Sequence, residues 1–136
     1  NTLASSAYGL LNPETHLPRP QYWAGLLFNT LAGSTVYDTH ESIREGVHLY
    51  AFSRRDGYPG KCCIYINNSR TEACDLTVPD CMHYCLSSDK LRSEKIFING
   101  EELKMKSDTM LPDFHGRWQK AGSIKINPCT INYLIL

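Results

Sequence analysis

The sequence has no surplus of charge. Lysine plus arginine and aspartate plus glutamate each total 14, so the formal charge at neutral pH is zero. A strongly basic nucleic-acid binder is therefore not expected, although local basic patches are compatible with this balance. No apolar run approaches the ~20 residues of a bilayer-spanning helix, so no membrane span is expected. The opening Asn1-Thr-Leu-Ala lacks a methionine, a basic leader and a long apolar core, and does not read as a signal peptide. A chain that opens in mid-pattern is expected to be a fragment or a processed product. Paired Cys-x2-Cys knuckles are missing. Cys81-x3-Cys85 with His83 and His115 does not reproduce zinc spacing, so neither a metal nor a cofactor is expected. Phosphate-binding glycine loops, a Gly-x-Ser-x-Gly elbow, internal repeats and low-complexity tracts are also lacking.

What is present suffices for a folded domain. A chain of 136 residues with 42% hydrophobic and 21% charged side chains has ordinary globular composition. At this size folding buries roughly 68–70% of the unfolded surface.

The hydrophobic period divides the chain in two. Residues 1–33 read as strand, loop and helix, with Thr2 to Ser6 as the strand and Gly9, Asn12 and Pro13 marking the loop. Pro18-Arg19-Pro20 keeps the backbone extended, and Pro20 suits a first helical turn, where its missing N–H is no loss. Trp23, Leu27 and Leu31 then recur at helical spacing with Leu26 beside them, and Gly33 suits the position just past the helix. One βα unit cannot bury both its faces, so this part is expected to need a larger sheet or barrel.

From Ser34 the period becomes two. Val47–Phe52 alternates, and Cys62–Ile66 places Cys62, Ile64 and Ile66 on one face with Cys63 and Tyr65 on the other. Further strands are expected at Ala73–Val78, Met82–Leu86, Lys95–Ile98, Leu103–Lys106, Ser123–Ile126 and Ile131–Leu136. Asp56-Gly57, Tyr58-Pro-Gly60, Asn99-Gly100 and Asn127-Pro128 punctuate them, with Asn99-Gly100 the clearest tight-hairpin signal. About seven or eight short strands at this spacing predict an antiparallel β-sandwich over residues 34–136.

Candidate chemistry is sparse. Hydrolysis of a glycosidic bond generally requires two carboxyl groups across it. Glu101-Glu102 follows a hairpin turn, and Glu41 and Glu45 accompany Arg44 in a loop, so all read as solvated surface. No catalytic residue is assigned. His48 alternates within a strand, while His16, His40 and His115 fall in loops. The six cysteines (Cys62, Cys63, Cys74, Cys81, Cys85 and Cys129) read as disulfide staples of a secreted protein, with no pairing assigned. Asn67-Asn68-Ser69 fits the N-glycosylation pattern, with Asn67 as acceptor.

The order of motifs resembles family 79 glycoside hydrolases, the heparanases, β-glucuronidases and leech-type hyaluronidases. The resemblance rests on Tyr8-Gly-Leu-Leu-Asn12, Pro18-x-Pro20-Gln-Tyr-Trp23, Leu26-Leu27-Phe28, Leu31-Ala-Gly33 and Thr35-Val36. It continues through Val47-His-Leu-Tyr-Ala51, Leu86-Ser-Ser88, Ile96-x-Ile98-Asn-Gly100, Leu103, Leu111-Pro112 and a last strand after Asn127-Pro128. It implies a (β/α)8 barrel followed by a β-sandwich, with Thr2–Ser6 as barrel strand eight and Pro20–Ala32 as helix eight. The family's catalytic acid and nucleophile then lie upstream of Asn1, and the chain alone is inactive. Tyr8 matches the tyrosine that contacts the bound uronic acid near its carboxylate, and its phenol has a hydrogen bond to offer. The resemblance also implies a secreted or lysosomal protein whose partners are the upstream barrel and a uronate-containing glycan. Ser53 stands where relatives often carry a cysteine bonded to one near the C-terminus, so that staple is not expected here.

Two other readings compete. In a non-catalytic glycan-binding or scaffold module, Arg54, Arg55 and Lys61 around one turn and Arg117, Trp118 and Lys120 around another would hold acidic groups, with Trp118 stacking on a sugar. A small cysteine-stapled ligand would explain the cysteines but not the Pro-x-Pro-x-Tyr-Trp helix.

Overall fold

The structure, a computed structural model, describes residues 8–41 and 45–136. The strand expected over Thr2–Ser6, and Arg44, lie outside the described residues. The fold is mainly β and antiparallel, with one helix.

Helix α1 spans Pro20–Leu31, with Pro20 in the first turn and Arg19 extended before it. Its buried stripe is Trp23 and Leu27, as the spacing requires. It ends at Leu31, because Ala32 is already extended and begins strand β1 (Ala32–Tyr37). Gly33 is therefore not a left-handed helix cap. It lies where β1 crosses β2 (Val47–Arg54), and a β-carbon there would come within 2.8 Å of the Arg54 carbonyl oxygen and 2.9 Å of that of Ser53. The glycine permits close backbone approach beside the irregularity between Ala32 and Val36.

The remaining strands are β3 (Lys61–Asn67), β4 (Cys74–Val78), β5 (Cys81–Ser88), β6 (Ile96–Ile98), β7 (Glu101–Glu102), β8 (Arg117–Gln119), β9 (Gly122–Ile126) and β10 (Thr130–Ile135). The large sheet runs β1-β2-β3-β10-β5-β6-β7, and β8 pairs with the start of β5 beside β6. Strands β4 and β9 form a separate ribbon. Asn99 and Gly100 take the left-handed conformation, at φ 50° and 88°, and close the β6–β7 hairpin as their sequence requires. The strand expected over Leu103–Lys106 is replaced by the shorter β7. The Leu103 N–H still bonds the Ile96 carbonyl at 2.8 Å, but by Lys106 the chain has turned to pair with Met110.

Both faces of the large sheet are covered. On one, Trp23, Leu27 and Ala32 pack against Cys62, Ile64, Leu86, Ile98 and Tyr133. On the other, Val78, Ile124 and Ile126 of the ribbon pack against Ala51, Cys63, Cys81 and Leu134. The alternation of Cys62 and Ile64 against Cys63 is thus a division between two cores. The helix and the sheet share the first of these cores.

Replacing Gly33 by alanine forces a β-carbon onto backbone rather than onto a flexible side chain. The expected outcome is a loss of about 1–3 kcal/mol, measured by urea unfolding, through weakened β1–β2 pairing.

Candidate functional site

The segment before the helix is a hydrogen-bonded loop. The Asn12 side-chain oxygen accepts from the backbone N–H of Glu14 at 2.9 Å and of Thr15 at 3.1 Å. The Asn12 N–H bonds the Leu17 carbonyl at 2.9 Å, and Arg19 N–H that of Leu10 at 2.9 Å. Gln21, one residue into the helix, donates to the carbonyls of Tyr8 at 3.2 Å and Gly9 at 2.8 Å. The backbone at Tyr8 is thereby tied to α1 while its side chain projects outward, at 91% exposure. The same loop lines a cavity of about 510 Å³ beside Trp23, together with Glu102, Lys104 and Met105. Glu102 and Lys104 pair at 2.9 Å.

The basic residues separate. Arg54 forks onto Asp56, with Nε to Oδ1 at 3.0 Å and Nη2 to Oδ2 at 2.5 Å. It also donates to the Leu136 carbonyl at 3.3 Å and lies 5.7 Å from the centre of the Tyr58 ring. Its hydrogen bond to Asp56 is the leading reason that the guanidinium is held above its ordinary range and the Asp56 carboxyl below its own. Arg54 is therefore a neutralised partner and not a free basic contact. Arg55 follows it in the turn, exposed, with its N–H bonding the Leu31 carbonyl at 3.0 Å.

Arg117 and Trp118 are successive residues of β8 and point to opposite faces of the sheet. Arg117 pairs with His83 and shares the ribbon face, whereas Trp118 pairs with Met82 and shares the helix face. These two do not form one contact surface.

A polar layer lies on the ribbon face. Asn67 is 1% exposed, and its amide nitrogen donates to the carbonyls of Glu72 at 2.8 Å and Ile126 at 3.1 Å. Its side-chain oxygen accepts from the Ser69 N–H at 3.0 Å. A glycan on that nitrogen replaces one of its two hydrogens, so it would break one of these donated bonds and have to enter the core at a position only 1% exposed. In this structure Asn67-Asn68-Ser69 is a folding motif rather than a glycan acceptor. Nearby, Asn132 donates to Thr130 at 2.9 Å, and its side-chain oxygen lies 2.9 Å from His83 Nε2.

All six cysteines are free thiols, so the expected staples are not formed. Cys62 and Cys63 face opposite cores. Cys63 and Cys81 share a core, but β10 lies between their strands. Two strand spacings amount to about 10 Å, more than the ~7 Å between α-carbons that a disulfide spans. Burial, followed by the adjacent Cys63, pushes the Cys62 thiol up to about 12. Burial also raises Cys63, Cys81 and Cys85, so these four are apolar filling and not nucleophiles.

No protein-family model matches the chain. It is 28% identical over 151 aligned positions to a protein named hyaluronoglucuronidase from Hirudo nipponia, covering 99% of this chain and 30% of that protein. It is 25% identical over 119 positions to baicalin-beta-D-glucuronidase from Scutellaria baicalensis, covering 82% of this chain and 22% of that protein. The chain is distantly similar to glucuronidases. It spans less than a third of either relative's length.

Sequence reasoning did not single out Asp56, although the two-residue step from Arg54 suits a fork across a turn. It also missed His83 as a member of a buried network. Burial lowers the His83 pKa below 6.5, the Asn132 hydrogen bond opposes that shift, and the Arg117 charge adds to it. Because the unfolded chain binds the proton more readily, stability is fully present above 6.5 and is lost as pH falls below it. Asp56, Asp89 and Asp113 are shifted down from 3.8, so their contributions fade only at lower pH. His83→Gln retains a donor for Asn132 without titrating. The expected outcome is a flatter dependence of urea midpoint on pH between about 7.5 and 5 in the variant than in the wild type.

Proposed function

We propose that this chain is the C-terminal part of a heparanase-like glycoside hydrolase of family 79. In this reading residues 1–33 are the last βα unit of a (β/α)8 barrel and residues 34–136 the β-sandwich that follows. The parent is a retaining β-glucuronidase acting on uronate-containing glycans or glucuronides, in a secreted or lysosomal setting. The observation that carries the reading is the alignment with a hyaluronoglucuronidase, which takes in 99% of this chain but only 30% of the relative. A second support is the distant similarity to a plant glucuronidase across 82% of the chain.

The catalytic acid and nucleophile belong to the upstream part of the parent, and this chain contributes structure and one contact. Barrel active sites lie at the C-terminal ends of the strands, on the side of the loops that follow them. Tyr8 occupies such a loop in this reading. Its ring stands 91% exposed while Gln21 holds its backbone, which suits a group that hydrogen-bonds a sugar carboxylate supplied from outside this chain. The helix and sheet brace that loop through the core built on Trp23 and Leu27.

The test is hydrolysis of an aryl glucuronide and of a uronate-containing glycan by the longer protein from the source. Tyr8→Phe there is expected to lower kcat/KM about tenfold with little change in unfolding midpoint, as loss of one hydrogen bond to a charged group predicts. A natural species no longer than these 136 residues, folded and without a partner chain, overturns the assignment.

A further inference from the structure

A row of cross-strand neighbours crosses the helix face near the end of α1. Phe52 pairs with Cys62, Cys62 with Ile135, Ile135 with Met82, and Met82 with Trp118. Four strand spacings separate Phe52 from Trp118, about 19 Å. Above the row lies a cavity of about 240 Å³ whose lining includes Leu31, Arg54, Asp56, Met82 and Tyr84. Arg54 and Asp56 stand at one end. Beyond Met82, at the other, Trp118 is 62% exposed on β8. Tyr58, 69% exposed, lies against the Arg54 guanidinium.

Nothing in the packing of the described residues requires this combination. A tryptophan that served only the core would be buried like Trp23, at 3% exposure. Gly116, two residues before Trp118, has no side chain, and a β-carbon there would come within 2.7 Å of the Tyr84 ring. The β8 backbone thus lies close over Tyr84, which keeps the strand carrying Trp118 low on this face. An exposed ring flanking apolar side chains, with a bidentate Arg–Asp pair at the far end, matches a pyranose chain. The aliphatic face of a sugar ring packs on indole. Its hydroxyls both accept from a guanidinium and donate to a carboxylate, so a paired Arg54 and Asp56 read them without excess charge.

We propose that this groove is a saccharide-binding surface, on which a glycan lies across the strands with one ring on Trp118 and another at the Arg54–Asp56 pair. It takes from the functional reading above only that the ligand is a glycan. It adds a binding surface on the β-domain separate from Tyr8, and removes Arg55 and Arg117 from the contact set. Because Arg54 is already neutralised, binding depends on shape and hydroxyl contacts more than on ionic strength.

The experiment titrates this chain with a hexasaccharide of alternating glucuronate and N-acetylglucosamine. Trp23 and Trp118 are its two tryptophans and Trp23 is buried, so acrylamide quenching reads Trp118, while calorimetry gives the affinity. The expected result is protection of Trp118 from quenching and an affinity changing less than about twofold between roughly 50 and 300 mM salt. Trp118→Ala is expected to weaken binding on the order of tenfold and Trp118→Phe only a few-fold. Arg55→Ala and Arg117→Ala leave it unchanged. Trp118 is exposed, so its replacement leaves the fold in place, and retained unfolding midpoints check that directly. Lack of protection, steep salt dependence, or equal losses in the two arginine variants overturns the proposal. Glucuronide hydrolysis by the longer protein is a separate readout, so the groove and the enzymatic assignment fail independently.

Discussion

Strand β10 runs through the middle of the large sheet, with β3 along one edge and β5 along the other. Its backbone groups are satisfied by those neighbours, but its side chains project into two different cores. Tyr133 packs beneath the helix and Leu134 beneath the ribbon. A strand in that position must be covered twice, because leaving either face wet forfeits burial of large apolar side chains. Helix α1 and the β4–β9 ribbon are the two covers. Their placement follows from this constraint more directly than from any preference of their own, since a two-stranded ribbon alone is marginally stable in water.

The two covers differ in chemistry. The helix side is apolar and closed by aromatic contacts, Tyr22 against Trp23 and Phe28 against Phe52, both edge-to-face. The ribbon side includes a polar layer, in which Asn67, Thr130 and Asn132 are almost wholly buried. Buried polar groups are tolerated when their hydrogen bonds are made, and Asn67 makes three. Asn67 joins β3 to the end of β9 and to the turn at Glu72, so it fixes where the ribbon lies over the sheet.

The same division by faces reorganises the surface chemistry. Four side chains from the two clusters in the sequence have different surroundings. Arg54 is consumed by Asp56, Arg117 turns towards His83, Arg55 remains in the turn, and Trp118 stands on the helix side. The surface chemistry of the helix side is then an aromatic ring and a neutralised ion pair rather than summed positive charge. A glycan-related role sits comfortably with such a surface, and the distant similarity to glucuronidases points the same way.

The sequence alone determined the elements whose signals are local. Pro20 with Trp23, Leu27 and Leu31 defined the helix, and alternation defined β2, β3 and β10. Asn99-Gly100 defined a hairpin, because only left-handed backbone closes a two-residue turn of the right twist. Tertiary structure decided what depended on distant partners. β1 and β8 lack strong alternation and became strands because β2 and β5 offered them hydrogen-bonding edges. Gly33 looked like a helix cap and became a point of backbone approach, since the strand that crowds it comes some twenty residues later. Asn67 carried a glycan acceptor pattern, but the carbonyls of Glu72 and Ile126 claimed its amide. The cysteines looked like staples, but the adjacent Cys62 and Cys63 face opposite cores. A period states which side chains share a face, but only packing states what that face meets.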